Sequence, residues 1–284
     1  MKQITVISGK GGTGKTTLTA CLSQIAKNIV VADCDVDAAD LHLLLFPKIK
    51  EKYNFFSGKA YKIDTNECIK CNKCRELCRF NAINDNFTIN RIPCDGCGAC
   101  YYVCPVSAIS ETENCAGVYY ISSTENSIPM IHASLHTAED NSGKLVAQVR
   151  KEAKKKAEGT NANYILIDGP PGIGCPVNAA IVGVDLALIV TEPTLSGIHD
   201  LKRIIQIAKY FNVKSMVIVN KYDINLKNTE EIENICHEQG LKCIAKIPYD
   251  EIVVKSLVAG KVITEFAPDH EINTIIKKIW EEIK

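Results

Sequence analysis

The residues with the clearest chemical pattern lie in a glycine-rich stretch, Gly9–Thr17, close to the N-terminus. It follows the apolar run Ile4–Ile7 and precedes a helical run, which is the setting of a phosphate-binding loop. Glycines let backbone N–H groups turn toward phosphate oxygens, while Lys15 supplies a cation to the β- and γ-phosphates and Thr16 a hydroxyl to Mg²⁺. The predicted nucleotide-binding residues of this loop are Gly9, Gly11, Gly12, Thr13, Gly14, Lys15, Thr16 and Thr17.

Three aspartates at alternating positions follow the apolar run Ile29–Ala32. Carboxylates beyond a buried strand are costly unless they face a ligand, and strand ends on the edge of the phosphate loop are where ligands bind in open α/β sheets. We therefore predict that Asp35 positions water or Mg²⁺ near the γ-phosphate, with Asp33 and Asp37 in support. A polar turn of solvated acids is the alternative.

Two later strand ends carry further candidate site residues. Asp168 ends the apolar run Tyr164–Ile167, and a carboxylate delivered there beside a phosphate loop holds Mg²⁺ through its water shell. Gly172 then lets the following loop move with the γ-phosphate. Asn220 and Lys221 follow another apolar run and suit a contact with the nucleotide base, with a turn-forming asparagine as the alternative.

Eight of the 14 cysteines form two groups with one shared spacing, C-x₂-C-x₂-C-x₃-C. Three closely spaced thiolates bind three corners of a [4Fe–4S] cubane, and the fourth cysteine of each run then belongs to the other cluster. The predicted ligand sets are Cys68, Cys71, Cys74 and Cys104 for cluster 1, and Cys94, Cys97, Cys100 and Cys78 for cluster 2. Zinc is the alternative, because C-x₂-C pairs also form sites with four thiolates.

The two cysteine groups differ in the charges around them. Lys70, Lys73, Arg75 and Arg79 stand among the first group, whereas Asp95 stands in the second. Reduction adds negative charge, so we predict a higher reduction potential for cluster 1. Solvated charges with screened effects are the alternative.

Apolar runs alternate with helical stretches over the rest of the chain. This alternation predicts an α/β fold with a doubly wound, mostly parallel sheet. The last predicted helix, Glu271–Ile283, carries an apolar stripe opposite mixed charges, which favours packing in the core over a membrane surface.

Charge and cysteine content exclude several classes of function. Lys and Arg total 33, as do Asp and Glu, so no net field recruits nucleic acid or an anionic membrane. No apolar stretch approaches the ~20 residues of a membrane span, and we therefore expect a soluble cytoplasmic protein without stable membrane insertion. In that compartment 14 cysteines indicate metal or redox chemistry, not disulfides.

The loop from Lys10 to Thr17 resembles the deviant phosphate loop of the MinD, ParA, Mrp and nitrogenase iron protein superfamily, in which a second lysine occupies the position of Lys10. In this resemblance Asp35 takes the switch I position, Asp168–Gly172 forms switch II, and Asn220-Lys221 completes the match. The cysteine groups resemble a bacterial two-cubane ferredoxin, except that Arg79 stands where proline is frequent. The combination resembles MinD-superfamily ATPases that contain an inserted ferredoxin domain.

The resemblance implies a P-loop NTPase domain at residues 1–57 and 112–284 and a ferredoxin-like insert at residues 58–111. It implies Mg²⁺-dependent ATP hydrolysis by a homodimer, with Lys10 of each subunit reaching the phosphates bound by the other. A plain polar loop residue is the alternative for Lys10. The implied catalytic residues are Lys10, Lys15, Asp35 and Asp168.

The nitrogenase iron protein has one further feature with a partial match in this chain. A single cluster bridges its dimer near switch II, and Cys175 matches one of the two ligand positions. The second position has no secure match, with Cys115 as a spatial candidate only.

Three functions remain open at this stage. In the first, which we predict, ATP switches the dimer and gates electron transfer through two [4Fe–4S] clusters, for metallocofactor assembly or reductive activation. Its partner is a protein electron donor or acceptor, or an assembly partner. The alternative is a scaffold or carrier of an iron–sulfur cluster or metal cofactor, of the Mrp type. A MinD-like membrane positioning ATPase is a weaker alternative, because it needs no clusters.

Overall fold

The computed structural model describes residues 1–139 and 141–284, which form two compact units. Unit 1 consists of Met1–Lys52, Tyr119–Ser134 and Ser142–Lys284, and unit 2 of Tyr53–Val118 and Leu135–Asn141. Unit 2 contains the whole of the predicted insert and extends beyond it at both ends.

The described residues form nine strands and eleven α-helices. The strands are β1 (Lys2–Ser8), β2 (Ile29–Asp33), β3 (Lys48–Ile63), β4 (Ile109–Ser123), β5 (Pro129–Leu135), β6 (Tyr164–Pro171), β7 (Leu186–Thr191), β8 (Ser215–Asn220) and β9 (Lys242–Ile247). The helices are α1 (Lys15–Ile25), α2 (His42–Leu45), α3 (Lys73–Leu77), α4 (Ala99–Val103), α5 (Ser142–Gly159), α6 (Cys175–Ile181), α7 (Leu195–Tyr210), α8 (Leu226–Glu238), α9 (Glu251–Val258), α10 (Ile263–Phe266) and α11 (Glu271–Ile283), with a 3₁₀ turn at Tyr222–Ile224.

A parallel sheet forms the centre of unit 1. Its strands lie in the order β5-β2-β6-β1-β7-β8-β9, and each neighbouring pair is parallel. All residues of β2 and β7 are buried, as expected for continuous apolar strands covered on both faces. The predicted α/β class with a mostly parallel sheet is confirmed.

The strand register brings the predicted chemical groups to one edge of this sheet. Val6 of β1 and Asp33 of β2 both align with Asp168 of β6. Carboxyl ends of parallel strands meet at the same edge, so the loops after β1, β2 and β6 lie together there.

The C-terminal helix α11 packs against α1 and the sheet in one apolar core. Ile272, Ile276, Ile279 and Ile283 are buried in it, and Ile275 is partly buried against it. This confirms the predicted core-facing stripe. Across residues 1–139 and 141–284, no helix has both the length and the apolar character needed to cross a membrane.

Three strands differ from what the sequence predicts. The apolar run Val118–Ile121 by itself predicts a short strand, but it is one part of β4, which runs over 15 residues. Strands β3 and β5 are not predicted at all. Most residues of β3 are exposed, and its 16 residues contain no continuous apolar run like those that mark β2, β6 and β7.

The cysteine repeat of unit 2 is also a structural repeat. Strands β3 and β4 are neighbours, and the short helices α3 and α4 each begin one residue before the third cysteine of a group. The preceding residues, Asn72 and Gly98, both have left-handed backbone conformation, with φ of 64° and 75°. Equivalent positions of the two groups therefore adopt equivalent conformations.

Candidate functional site

The Gly9–Thr17 loop connects β1 to α1, which begins at Lys15. Gly12 and Gly14 have φ of 79° and 87°, a region that favours glycine. A side chain at Gly14 would also collide with Asn220, because a Cβ there would lie 2.4 Å from Asn220 Nδ2. These two glycines give the loop the curvature that inward-pointing N–H groups require.

A cavity of about 480 Å³ lies beside this loop, within the usual size range of small-molecule sites. The predicted residues that line it are Gly11, Gly12, Thr13, Gly14, Lys15, Thr16, Thr17, Asp35, Asn220 and Lys221. Of the other predicted residues, all of which are described, Gly9, Lys10, Asp168 and Gly172 do not line it. The Gly172 N–H instead donates to the Ser8 carbonyl at 2.9 Å, which ties the end of the predicted switch II segment to β1.

Lys15, Thr16 and Asp168 form a buried network. Lys15 Nζ lies 2.9 Å from Asp168 Oδ1 and 3.8 Å from Asp35 Oδ2. Thr16 Oγ1 donates to Asp168 Oδ2 at 2.7 Å, and Thr19 Oγ1 donates to Asp168 Oδ1 at 3.1 Å. Burial lowers the pKa of Lys15, but the charge and hydrogen bond of Asp168 outweigh it and leave that pKa raised.

The aspartates after β2 occupy different environments. Asp33 is fully buried, and its Oδ1 accepts the Asp35 N–H at 3.1 Å, while Oδ2 has no hydrogen-bond partner among the described residues. Burial, and then the charge of Asp168, raises the pKa of Asp33 well above its usual range. Burial also raises the pKa of Asp35 to about 6, with Lys15 acting in the opposite direction. Asp37 is exposed.

The donor set at this edge fits Mg²⁺. Thr16 and Asp168 offer a hydroxyl and a carboxylate oxygen, the hard ligands that this ion takes in proteins. Asp33, Asp35 and Asp168 surround one ammonium, that of Lys15, and one Asp33 oxygen is buried without a partner. A divalent cation would offset this excess of negative charge.

Asn220 and Lys221 contact the backbone of the phosphate loop. Asn220 Nδ2 donates to the Thr13 carbonyl at 2.8 Å, and Lys221 Nζ donates to the Gly12 carbonyl at 3.2 Å. These contacts show the two residues supporting the loop. A contact of Asn220 with the nucleotide base stays a prediction.

The loop after β9 contributes residues that the sequence does not single out. Pro248, Tyr249 and Asp250 line the same cavity as the phosphate loop. The Tyr249 N–H donates to Asp223 Oδ1 at 2.7 Å, and Asp250 caps α9 by accepting the N–H of Ile252 at 2.9 Å. Their position after a parallel strand, at the edge that carries the phosphate loop, is the signal that identifies them.

Lys10 is bound within its own chain. Its Nζ lies 2.5 Å from Glu192 Oε1 and 3.2 Å from each of the hydroxyls of Thr194 and Ser196. Glu192 Oε2 lies 3.2 Å from Lys221 Nζ. Burial favours the neutral form of Glu192, but hydrogen bonds from both lysines outweigh it and lower its pKa. Glu192 is a further site residue that the sequence does not single out.

The eight cysteines of the two groups line two cavities in unit 2, with four cysteines in each. The first, of about 10 Å³, is lined by Cys68, Cys71, Cys74 and Cys104. The second, of about 340 Å³, is lined by Cys78, Cys94, Cys97 and Cys100. These groupings coincide with the two ligand sets predicted from the spacing.

The fourth cysteine of each group accepts a backbone hydrogen bond. The Ala82 N–H donates to Cys78 Sγ at 3.4 Å, and the Ala108 N–H donates to Cys104 Sγ at 3.3 Å. Each group therefore holds its fourth sulfur in the same way, by the backbone N–H four residues further along the chain. Within residues 1–139 and 141–284, no group of three or more His, Cys, Asp or Glu side chains is arranged to hold a single metal ion.

Burial affects the cysteines unequally. It raises the pKa of Cys74, and it raises the pKa of Cys100 to about 11. Because a thiol must lose its proton to bind metal, any metal bound by Cys100 has to displace that proton. Cys175, the candidate bridging ligand, is exposed at the first residue of α6 in unit 1, and its role stays a prediction.

Comparisons with known proteins place this geometry in context. Residues 4–263 match the sequence model of the CobQ/CobB/MinD/ParA nucleotide binding domain. An uncharacterized protein of Methanocaldococcus jannaschii is 36% identical over 285 residues, covering 99% of this chain and 96% of the relative.

Solved structures of low sequence identity share the fold. The MinD cell division protein of Aquifex aeolicus has a TM-score of 0.59 at 20% identity, covering 99% of this chain and 96% of that one. The septum site-determining protein MinD from Pyrococcus horikoshii OT3, solved in complex with Mg-ADP, has a TM-score of 0.55 at 20% identity, covering 100% and 96%.

Proposed function

Because the chain belongs to the CobQ/CobB/MinD/ParA nucleotide-binding family, we propose that it is a Mg²⁺-dependent ATPase that couples ATP to electron transfer through two [4Fe–4S] clusters. It acts as a nucleotide-switched homodimer and serves reductive activation of a partner protein or assembly of a metallocofactor. The observation that carries this proposal is the division of eight cysteines between two cavities, in a chain that also has a phosphate loop.

The buried network of the phosphate loop supports binding of MgATP. We assign Lys15 to the β- and γ-phosphates, and Thr16 with Asp168 to the metal. The carboxylates of Asp35 and Asp168 beside the single ammonium of Lys15 repel a bare triphosphate, so the site favours the nucleotide together with its divalent cation. Asp35, with a pKa of about 6, is mainly ionised at neutral pH and able to orient a water near the γ-phosphate.

The charge available to one chain supports the proposed dimer. Phosphoryl transfer needs positive charge at the γ-phosphate as the bond breaks. Lys15 supplies one such charge and is buried, whereas the Lys10 side chain is 29% exposed beside the loop. A partly exposed lysine at this position can reach a second subunit once it leaves its partners in its own chain, which makes hydrolysis conditional on dimerisation.

The cysteine cavities support clusters more than zinc. A zinc ion needs four sulfurs at about 2.3 Å from one point. In a cubane each cysteine binds a different iron, so the four sulfurs lie farther apart. Each cavity combines three cysteines of one group with the fourth cysteine of the other, which is the exchange of ligands that two neighbouring cubanes make.

The clusters, when bound, supply one-electron donors and acceptors. Cys68, Cys71, Cys74 and Cys104 would hold the first, and Cys94, Cys97, Cys100 and Cys78 the second. The N–H groups of Ala82 and Ala108 donate to the sulfurs of Cys78 and Cys104 and so position them.

A second candidate function has one observation in its favour. Cys71 and Cys97 are exposed, which suits a carrier that passes a cluster or metal cofactor to an acceptor protein. Membrane positioning is less well supported, because the apolar stripe of α11 is buried against the core.

Anaerobic reconstitution tests the proposal directly. We expect about eight irons and eight sulfides per chain, little zinc, and EPR signals of two reduced cubanes. Addition of MgATP should change the spectrum or midpoint, whereas MgADP should not have the same effect. Two zinc ions per chain would contradict the proposal. Quantitative loss of iron to an apo-acceptor would favour the carrier.

A further inference from the structure

The ammonium of Lys10 is held by three groups on the connection between β7 and α7. These are the Glu192 carboxylate at 2.5 Å and the hydroxyls of Thr194 and Ser196 at 3.2 Å each. All three lie in the same chain as Lys10. A lysine that acts on a nucleotide in another subunit must first leave them.

The β7–α7 connection holds its carboxylate in a fixed position. Thr194 caps α7 by accepting the Gly197 N–H at 3.0 Å, and Thr191 Oγ1 donates to the Gly197 carbonyl at 3.2 Å. Gly197 packs so closely that a Cβ there would lie 2.2 Å from the Glu192 carbonyl oxygen. Glu192 itself is 8% exposed, so Lys10 is the mobile member of the pair.

A second lysine lowers the free-energy cost of releasing Lys10 from Glu192. A buried carboxylate that loses its only partner is strongly destabilising. Glu192 has Lys221 on its other oxygen at 3.2 Å, and Lys221 is anchored to the Gly12 carbonyl at the same distance. Glu192 therefore keeps one cation when Lys10 departs, and two arrangements of Lys10 become accessible.

We propose that Glu192 is a positioning residue that retains Lys10 in its own subunit and thereby sets the threshold for ATP-dependent dimerisation. The γ-phosphate bound by the partner subunit competes with Glu192 for the same ammonium. This inference rests on the proposed function, because it requires that Lys10 acts across a dimer interface. Without the Glu192 carboxylate, the ammonium of Lys10 would be free to bind phosphate.

The test is the dimer dissociation constant in MgAMP-PNP, measured by sedimentation velocity for the wild type and Glu192→Gln. The glutamine amide keeps the shape of the Glu192 side chain but removes its charge, so Lys10 is held less tightly. Because two lysines are released when each dimer forms, we expect a dissociation constant about tenfold lower than that of the wild type. Glu282→Gln, which removes an exposed ion pair with Lys242, is the matched control and should have no effect.

Two further variants separate positioning from a structural role. In a Lys10→Ala background, Glu192→Gln should no longer tighten the dimer, because its effect acts through Lys10. Ser196→Ala changes only an exposed hydroxyl and should tighten the dimer slightly. The same dissociation constant for the wild type, Glu192→Gln and Ser196→Ala would overturn the inference. Failure of the wild type to dimerise with either ATP or AMP-PNP would overturn the proposed homodimer itself.

Discussion

The nucleotide site of unit 1 and the cysteine cavities of unit 2 stabilise their reactive groups in different ways. In unit 1, Lys15 and Lys10 are each bound to a carboxylate of the same chain, Asp168 and Glu192. In unit 2 the proposed ligand cysteines contact backbone and apolar groups: the Ala82 N–H donates to Cys78, and Cys74 is buried in an apolar cluster.

The two kinds of contact suit different functions. Ion pairs exchange partners readily when a phosphate or a divalent cation competes for one member, so they suit a switch. Backbone hydrogen bonds and apolar packing do not depend on such competition, so they suit a site that retains what it binds. Unit 1 is therefore suited to exchanging the partners of its lysines, and unit 2 to retaining the group that its cysteines bind.

The largest effect should come from Asp168→Asn. This substitution removes the negative charge that pairs with Lys15, and it also removes a carboxylate that we propose as a metal ligand. ATPase activity should therefore fall by about 100-fold or more. Iron content after reconstitution should stay unchanged, because the cysteines lie in unit 2. Asp185→Asn, at an exposed acid that accepts the Gln3 N–H, is the control and should retain activity. Loss of iron in Asp168→Asn would break the comparison between the units.

The reverse experiment is Cys97→Ala. It removes one proposed ligand of the second cavity, and we expect loss of about half of the iron with ATPase activity within about twofold of the wild type. Cys115→Ala removes a half-buried cysteine of the same unit that is not a proposed cubane ligand, and it should keep all of its iron. Equal iron loss in both variants would mean that the cavities do not define the ligand sets.

A buried imidazole makes unit 1 sensitive to acid. His132 stacks on Tyr120 and binds Ser122 Oγ at 2.9 Å, and burial with the nearby charge of His42 lowers its pKa to about 4. As the pH falls, His132 takes up a proton in the unfolded chain near pH 6.5 but in the folded chain only near pH 4. The contribution of His132 to the free energy of unfolding is therefore fully present above pH 6.5 and is lost as the pH falls toward 4.

His132→Gln should remove most of this acid sensitivity, worth about 2 kcal/mol between pH 7.5 and 5. Urea unfolding followed by the fluorescence of Trp280, the single tryptophan, reports on unit 1 alone. The exposed His237→Gln is the control. A pH dependence unchanged in His132→Gln would contradict the assignment.

The smallest expected effect is a shift in the reduction midpoints of the two proposed clusters. Combined Lys70→Gln and Lys73→Gln should lower the midpoint of cluster 1 by on the order of 20 mV, because nearby cations stabilise the reduced form. The cluster 2 midpoint should move less. An EPR-monitored titration checks this, with exposed Lys27→Gln in unit 1 as the control. Equal shifts in both clusters would remove the predicted asymmetry.

The sequence predicts the parts of this protein whose chemistry is local. The Gly9–Thr17 loop and the two cysteine groups follow from spacing alone, and β6 and β7 from continuous apolar runs. Strand β3 escapes prediction because most of its side chains are exposed and it has no continuous apolar run.

The partner of Lys10 escapes prediction for a different reason. Glu192 lies in the polar segment Thr191–Thr194, which is typical of a turn, and it meets Lys10 only when β1 and β7 pair. Pro248–Asp250 similarly enters the cavity through the parallel arrangement of β8 and β9. Contacts between residues distant in sequence depend on strand order, which local patterns do not encode.

The central claim is that a switch in unit 1 controls redox centres in unit 2. An EPR-monitored redox titration of the reconstituted dimer in MgATP and in MgADP tests it most directly, with Asp168→Asn as the variant that cannot switch. The account predicts different midpoints in the two nucleotides for the wild type and identical midpoints for Asp168→Asn. Identical midpoints in the wild-type dimer would contradict it.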